Sequence, residues 1–152
     1  MRQLPKIDTN IPLSSLNDRM KDSMAEHIGI EFTEIHADYL MARMPVDKRT
    51  FQPLRMLNGG ASLVLAETLG SMAANMVLDR DKFVAFGMEI NANHLKAAHL
   101  GFVYGKASPF HIGKTTQVWE IEIRDDEGDL VCISRLTMAV VEIKEDALRL
   151  KK

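Results

Sequence analysis

A single cysteine, Cys132, is all that the 152-residue chain contains, so neither a disulfide nor a cysteine-built zinc site can form within one chain. Such usage suits a reducing cytosol, and a cytoplasmic location is the expectation. Cys132 stands between Val131 and Ile133 in a strand-like stretch and reads as a small core residue. Net charge is equally scarce. At −2 it provides no global basic field to recruit nucleic acid, although a local basic cluster can still hold an acidic small molecule. Long apolar runs are missing too. The longest, Ala61 to Leu78, is interrupted by Ser62, Glu67, Thr68, Ser71 and Asn75, and is too short and too polar to span a bilayer. Met1 to Asn10 is polar, includes Pro5 and Asp8, and lacks the apolar core of a secretion signal. Neither a nucleic acid nor a membrane is therefore expected as a partner.

What is present suits one globular domain over residues 1–152, with 46 % apolar and 26 % charged residues and no repeat, linker or low-complexity tract. Ser15 followed three residues later by Asp18 resembles a capping box. Leu16, Met20, Met24 and Ile28 then recur every fourth residue, which predicts an N-terminal helix over about 15–28, ended by Gly29. Ile28, Ile30 and Phe32 alternate with polar neighbours, as do Leu40, Ala42, Met44 and Val46, predicting a hairpin around Ile35 to Asp38. Asp47 to Pro53 reads as a loop. Ala61 to Leu78 is apolar almost all round and predicts a helix buried on most sides. Beyond it, Val84, Phe86, Met88 and Ile90 alternate, and Trp119, Ile121 and Ile123 alternate with Glu120 and Glu122. Asp125 to Gly128 reads as a turn, Val131 to Ile143 as a central strand, and Glu145 to Lys152 as a frayed terminus. The fold class is α+β, with a buried central helix against a mostly antiparallel sheet and a core over about 28–143.

Several tempting motifs fail. Ser108 to Thr115 approaches a phosphate-binding loop, but its first glycine is missing, Pro109 intrudes, and a strand-like stretch follows where a helix is needed. Gly60-Ala61-Ser62-Leu63-Val64 lacks the second glycine of a nucleophile elbow. His27, His36, His94, His99 and His111 show no metal-ligand spacing, and no metal is expected.

Glu67 stands apart as the only charged residue between Arg55 and Asp79. A carboxylate inside a buried helix must be paired, hydrogen-bonded or shifted in pKa, and such groups gather at functional sites. It is otherwise a structural carboxylate that faces a partner subunit or a water-filled groove. Small residues near it, Gly60, Gly70 and Ser71, leave room for another molecule. Asn58-Gly59-Gly60 opens the same helix, where free N–H groups and the positive dipole end would stabilise an oxyanion. The simpler alternative is an Asn N-cap with two glycines in a tight turn. Taken together, the two features suit an acyl-transfer site.

Three separated blocks carry a family resemblance. The first runs Gln52-Pro53-Leu54-Arg55-Met56-Leu57-Asn58-Gly59-Gly60-Ala61-Ser62 and on through Leu65-Ala66-Glu67-Thr68-Leu69-Gly70-Ser71. The others are Gly87-Met88-Glu89-Ile90-Asn91-Ala92-Asn93-His94, and Pro109-Phe110-His111-Ile112-Gly113 through Gln117-Val118-Trp119. Over roughly Ile28 to Val141 the chain resembles the hotdog-fold acyl-CoA thioesterases. The likeness is to the group with the phenylacetate-pathway, 4-hydroxybenzoyl-CoA and 1,4-dihydroxy-2-naphthoyl-CoA enzymes.

The resemblance implies a long central helix wrapped by a curved antiparallel sheet, with Glu67 of one copy meeting Gln52 and Gly59 of another. A homodimer or dimer of dimers is expected because it covers the edge strands and apolar face of a small sheet. It implies hydrolysis of an aromatic or medium-chain acyl-CoA to free acid and CoA, with no cofactor because CoA is part of the substrate. Glu67 would be nucleophile or general base, Gly59 the oxyanion donor, Gln52 an orienter of the carbonyl, and Ser71 a support for the acid or water. CoA would lie along Gly87, His94, Lys96, Ala97, His111, Gly113, Lys114 and Thr115, with Lys96 and Lys114 toward its phosphates. Asn58 departs from the His that relatives often carry; an amide donates a hydrogen bond but does not titrate. Leu63, Val64, Met56 and Phe51 are expected to line the acyl pocket. Two rival readings remain: a non-catalytic acyl-CoA-binding module, which would have no use for Glu67, and a hotdog dehydratase. The latter needs a catalytic His, and none lies near Asn58 or Glu67 in sequence.

Overall fold

Where the sequence predicts one amphipathic N-terminal helix, the computed structural model, which describes residues 5–144, has two short ones. Helix α1 spans Leu13–Asp18 and α2 spans Met24–His27. Between them Asp22 takes a φ of 59°, a left-handed conformation that no continuous helix accommodates. Ser15 is not the cap; that position belongs to Pro12, which makes no side-chain capping bond. The predicted apolar stripe is therefore split. Leu16 and Ile28 are buried, Met20 is half-buried, and Met24 is 63 % exposed. The frayed terminus expected from Glu145 onward lies outside the described residues.

The hairpin forms as the alternation requires. Strands β1 (Glu31–Ile35) and β2 (Leu40–Pro45) pair antiparallel and turn Phe32, Leu40, Ala42 and Met44 into the core. Helix α3 spans Gly59–Met76, beginning two residues before the predicted start because Asn58 caps it. Strands β3 (Phe83–His94), β4 (Phe102–Ile112), β5 (Thr116–Asp125) and β6 (Leu130–Glu142) complete one sheet. Its order is β1-β2-β4-β5-β6-β3, and every neighbouring pair is antiparallel. Strand β4 is not evident in the sequence, since Gly105 and Pro109 interrupt its pattern. The structure accommodates Pro109 at a register shift against β5, the kind of irregularity where a strand admits proline.

Helix α3 packs against β2, β3, β4, β5 and β6. A flat sheet could not offer that many strands, spaced about 4.8 Å apart, to one helix about 10 Å wide, so the sheet curls around it. Leu65, Ala66, Leu69 and Ala73 are wholly buried beneath this wrap, each large side chain contributing roughly 1.5–3 kcal/mol. At Gly70 the helix comes so near the sheet that a Cβ would lie 2.6 Å from Leu136 Cδ2. The core's buried amide is satisfied: Gln117 donates to the Ala74 carbonyl at 3.3 Å and accepts from the Trp119 indole at 2.9 Å. Strand β6 pairs on both edges, as a central strand should, yet buries only one face past Ser134; Leu136 and Met138 point in while Arg135 is exposed. Among the described residues strand β3 is an open edge. None of the helices among the described residues is long and apolar enough to cross a membrane.

Candidate active site

Glu67 is the one charged residue in the eighteen of α3. It is half-buried rather than buried, together with Leu63, Val64, Thr68 and Ser71 on the same side of the helix. The helix is buried on most sides as expected, and its cover is incomplete at Glu67 for a physical reason. The sheet covers one side of α3, and the broken pair α1–α2 covers only part of the other. Between them remains an apolar cavity of about 530 Å³, walled by Met20, Met24, Leu63, Val64 and Ile90, with the Glu67 carboxylate at its edge. The Ser71 hydroxyl, one turn on, donates to Glu67 Oε1 at 3.4 Å. Below the carboxylate lies Gly87 of β3, where any Cβ would collide with Oε1. Gly87, expected along CoA, is thus the seat of the acid.

A second cluster surrounds the start of α3. Asn58 Oδ1 accepts the Gly60 N–H at 2.7 Å, which makes Asn58 an N-cap. The Gly59 N–H has no acceptor among the described residues. Gln52, Met56, Gly59, His94, Lys96 and Ala97 line one cavity of about 350 Å³. Gln52 Oε1 accepts the Leu54 N–H at 3.0 Å, which fixes the amide's orientation and turns its N–H₂ away as a free donor. His94, remote in sequence, packs on the helix start, since a Cβ at Gly59 would lie 2.8 Å from its Nε2. A histidine therefore stands at the helix start in space although none lies near it in sequence; strand β3 delivers it.

Within one chain the clusters remain apart. Gly59 and Glu67 are eight residues apart, about 12 Å along the helix axis. Of the expected acyl-pocket residues, Leu63 and Val64 join Glu67, whereas Met56 lines the other cavity and Phe51 lines neither. His111, Gly113, Lys114 and Thr115 form the β4–β5 hairpin, where His111 folds over Gly113. Gly87, Met138, Gln117 and Ile112 share one row across the sheet, so this hairpin lies roughly 15 Å from the Glu67 seat. His94 is seven residues along β3 from Gly87, about 20 Å away at the other end.

Lys96, expected to meet phosphate, is held by carboxylates instead: Asp129 at 2.6 Å, Asp125 at 2.7 Å and Glu127 at 3.4 Å. Those three carboxylates cluster closely enough for a metal ion, and the cation they hold is the Lys96 ammonium. Hydrogen bonds to Asp125 and Asp129 raise the lysine's pKa, and the bond from Lys96 lowers that of Asp125. Lys114, by contrast, is exposed, with no ion pair among the described residues. Cys132 is buried, and burial raises its thiol pKa, in keeping with an inert core residue.

A helix wrapped by a six-stranded antiparallel sheet, with a lone acid on that helix and a free N–H at its start, is the layout of a hotdog-fold acyl-transfer enzyme. The family model described as the thioesterase superfamily matches residues 54–132. A putative esterase of Vibrio cholerae is 54 % identical over 130 residues, which cover 86 % of each chain. The 1,4-dihydroxy-2-naphthoyl-CoA hydrolase of Escherichia coli is 47 % identical over 131 residues, covering 86 % of this chain and 96 % of that one. The crystal structure of a mutant thioesterase from Pseudomonas aeruginosa superposes with a TM-score of 0.88 at 44 % identity, covering 90 % of this chain and 99 % of the other. The chain belongs to the thioesterase superfamily and is a thioester-hydrolysing enzyme of the hotdog fold.

Sequence reasoning missed the cavity walls contributed by Met20, Met24 and Ile90. Only the i, i+4 spacing of the two methionines hinted that they share a face.

Proposed function

We propose that the enzyme hydrolyses an acyl-CoA thioester to a free carboxylic acid and CoA, with Glu67 as the reacting carboxylate. The observation that carries this reading is the placement of the helix's lone acid at the edge of a 530 Å³ apolar cavity sized for an acyl group. The cavity's methionine and aliphatic walls suit an aromatic or medium-chain acyl group. The coenzyme in the name of the Escherichia coli relative supports CoA as the thiol.

The thioester carbonyl would accept hydrogen bonds from the Gly59 N–H and the Gln52 amide, the free donors of the second cavity. Glu67 then acts in one of two ways. As nucleophile it attacks the carbonyl carbon and expels CoA thiolate, leaving an anhydride that water hydrolyses. As general base it takes a proton from water, whose oxygen forms the new C–O bond while the C–S bond breaks. In both, the thiolate leaves with little assistance and ends protonated, which fits a site with a single acid. Ser71 would steady the carboxylate or the water. CoA would run past Ala97 and His94, with Lys114 the free cation for its phosphates.

The separation of about 12 Å between Glu67 and Gly59 along α3 supports a site shared between two copies. Each copy would supply Glu67 to the other's Gly59 and Gln52, in a homodimer joined through the open edge of β3, or a dimer of such dimers.

Glu67→Gln tests the reading. The change preserves size and helix propensity, so the protein should fold while turnover of benzoyl-CoA or octanoyl-CoA drops roughly a hundredfold or more. Near-normal thiol release by a folded Glu67→Gln protein would overturn the assignment and favour a binding module.

A further inference from the structure

Asn75 lies one helical turn beyond Ser71 and two beyond Glu67, on the same side of α3. Its amide is fully committed. Oδ1 accepts the Ala85 N–H at 2.9 Å, while Nδ2 donates to the Ala85 carbonyl at 3.1 Å and to the Ser71 carbonyl at 2.9 Å. The side chain thus treats Ala85 as a neighbouring strand would, taking both backbone groups of one residue, and ties that residue to the helix backbone at Ser71. Two residues further along β3 is Gly87, against which the Glu67 carboxylate rests. The sheet is irregular just beyond: the register with β6 shifts between Gly87 and Glu89, and the outer edge of β3 has no partner strand among the described residues. Among the described residues, the side-chain hydrogen bonds that join α3 to β3 are the two of the Asn75 clip.

We propose that Asn75 is a positioning residue for Glu67: by clipping Ala85 to α3 it sets the height of the Gly87 seat and so the place of the carboxylate. The inference rests on the reading of Glu67 as the reacting group. The same clip ends the open edge of β3. Both polar groups of Ala85 are consumed, so a second strand adding to that edge can pair only from Gly87 onward.

The chemistry explains why asparagine stands at this point. Two acceptors and one donor face it, and a neutral amide matches that set, whereas a carboxylate would oppose two carbonyl oxygens.

Four proteins test the proposal: wild type, Asn75→Ala, Glu67→Gln and the double variant. They are assayed for thiol release from benzoyl-CoA and octanoyl-CoA, with rates referred to folded protein. Asn75→Ala should lower kcat by roughly ten- to a hundredfold, the scale of a 1 Å misplacement, with KM within about twofold of wild type. On the Glu67→Gln background the same change should cost nothing further, because the group it positions is gone.

Asn75→Ser serves should Asn75→Ala fail to fold. It adds no charge, and its hydroxyl can still bond the Ser71 carbonyl one turn back but is too short to take both backbone groups of Ala85. Its kcat should fall in the same direction. A folded Asn75 variant with near wild-type kcat overturns the proposal, and so does a loss repeated in full without Glu67. Normal turnover by Glu67→Gln would instead remove the catalytic reading itself, and the positioning role with it.

Discussion

A Cβ at Gly87 would fall on Oε1 of the Glu67 carboxylate, so any side chain there displaces the acid. The φ of Gly87 is not positive, so alanine is conformationally acceptable there and its only conflict is with the acid. Gly87→Ala should therefore fold normally by circular dichroism while kcat falls about tenfold or more. An unchanged kcat would mean that the carboxylate works from another position.

Asn58→Ala separates capping from catalysis. Loss of the bond from the Gly60 N–H should cost about 1 kcal/mol of stability. On the proposed reading the Gly59 N–H would still face the oxyanion, so the rate should fall less than in Glu67→Gln. Thermal melts and steady-state rates on the same samples check both halves.

Mixed dimers examine whether the site is shared. Glu67→Gln and Gln52→Ala chains, each impaired alone, should recover activity when refolded together, because one hybrid site receives both intact residues. Random pairing at equal amounts gives about a quarter of wild-type activity. No recovery, with hybrids demonstrated by mass spectrometry, would show that the site is not shared between the two chains.

Lys96→Ala should leave a pH-dependent mark on stability. The bond from Lys96 lowers the Asp125 pKa, so its contribution is present above the unfolded carboxylate value and lost as pH falls through the folded one. The raised pKa of Lys96 contributes below its unfolded value and is lost only in strong alkali. The gap in urea midpoint between wild type and Lys96→Ala should thus be open at pH 7 and close below about pH 4. A gap that is constant across this range would show that the lysine stabilises through packing alone.

The hairpin, the central helix and the strand around Trp119 were legible because each has a clean apolar period and one partner surface. The N-terminal helix was misread because spacing cannot register a single left-handed residue such as Asp22. Strand β4 escaped because Pro109 and Gly105 look like breakers until a bulge and a close-packed helix account for them. The isolation of Glu67 was plain in the sequence. That His94 packs on Gly59, and that carboxylates hold Lys96, depends on contacts between residues distant in the chain, which no local pattern encodes.

The open side of β3 has a consequence beyond catalysis. Twelve residues long, with Phe86 and Met88 exposed at 58 % and 66 %, it carries neither lysine nor proline to deter stray pairing. Past the Asn75 clip, only the irregularity at Gly87–Glu89 and the charge of Glu89 blunt it. An edge of this kind invites stray pairing when left bare, and a second strand laid over it would guard solubility. Dilution or an edge mutation should cloud the solution as it silences the enzyme, so turbidity and lost turnover would share one origin.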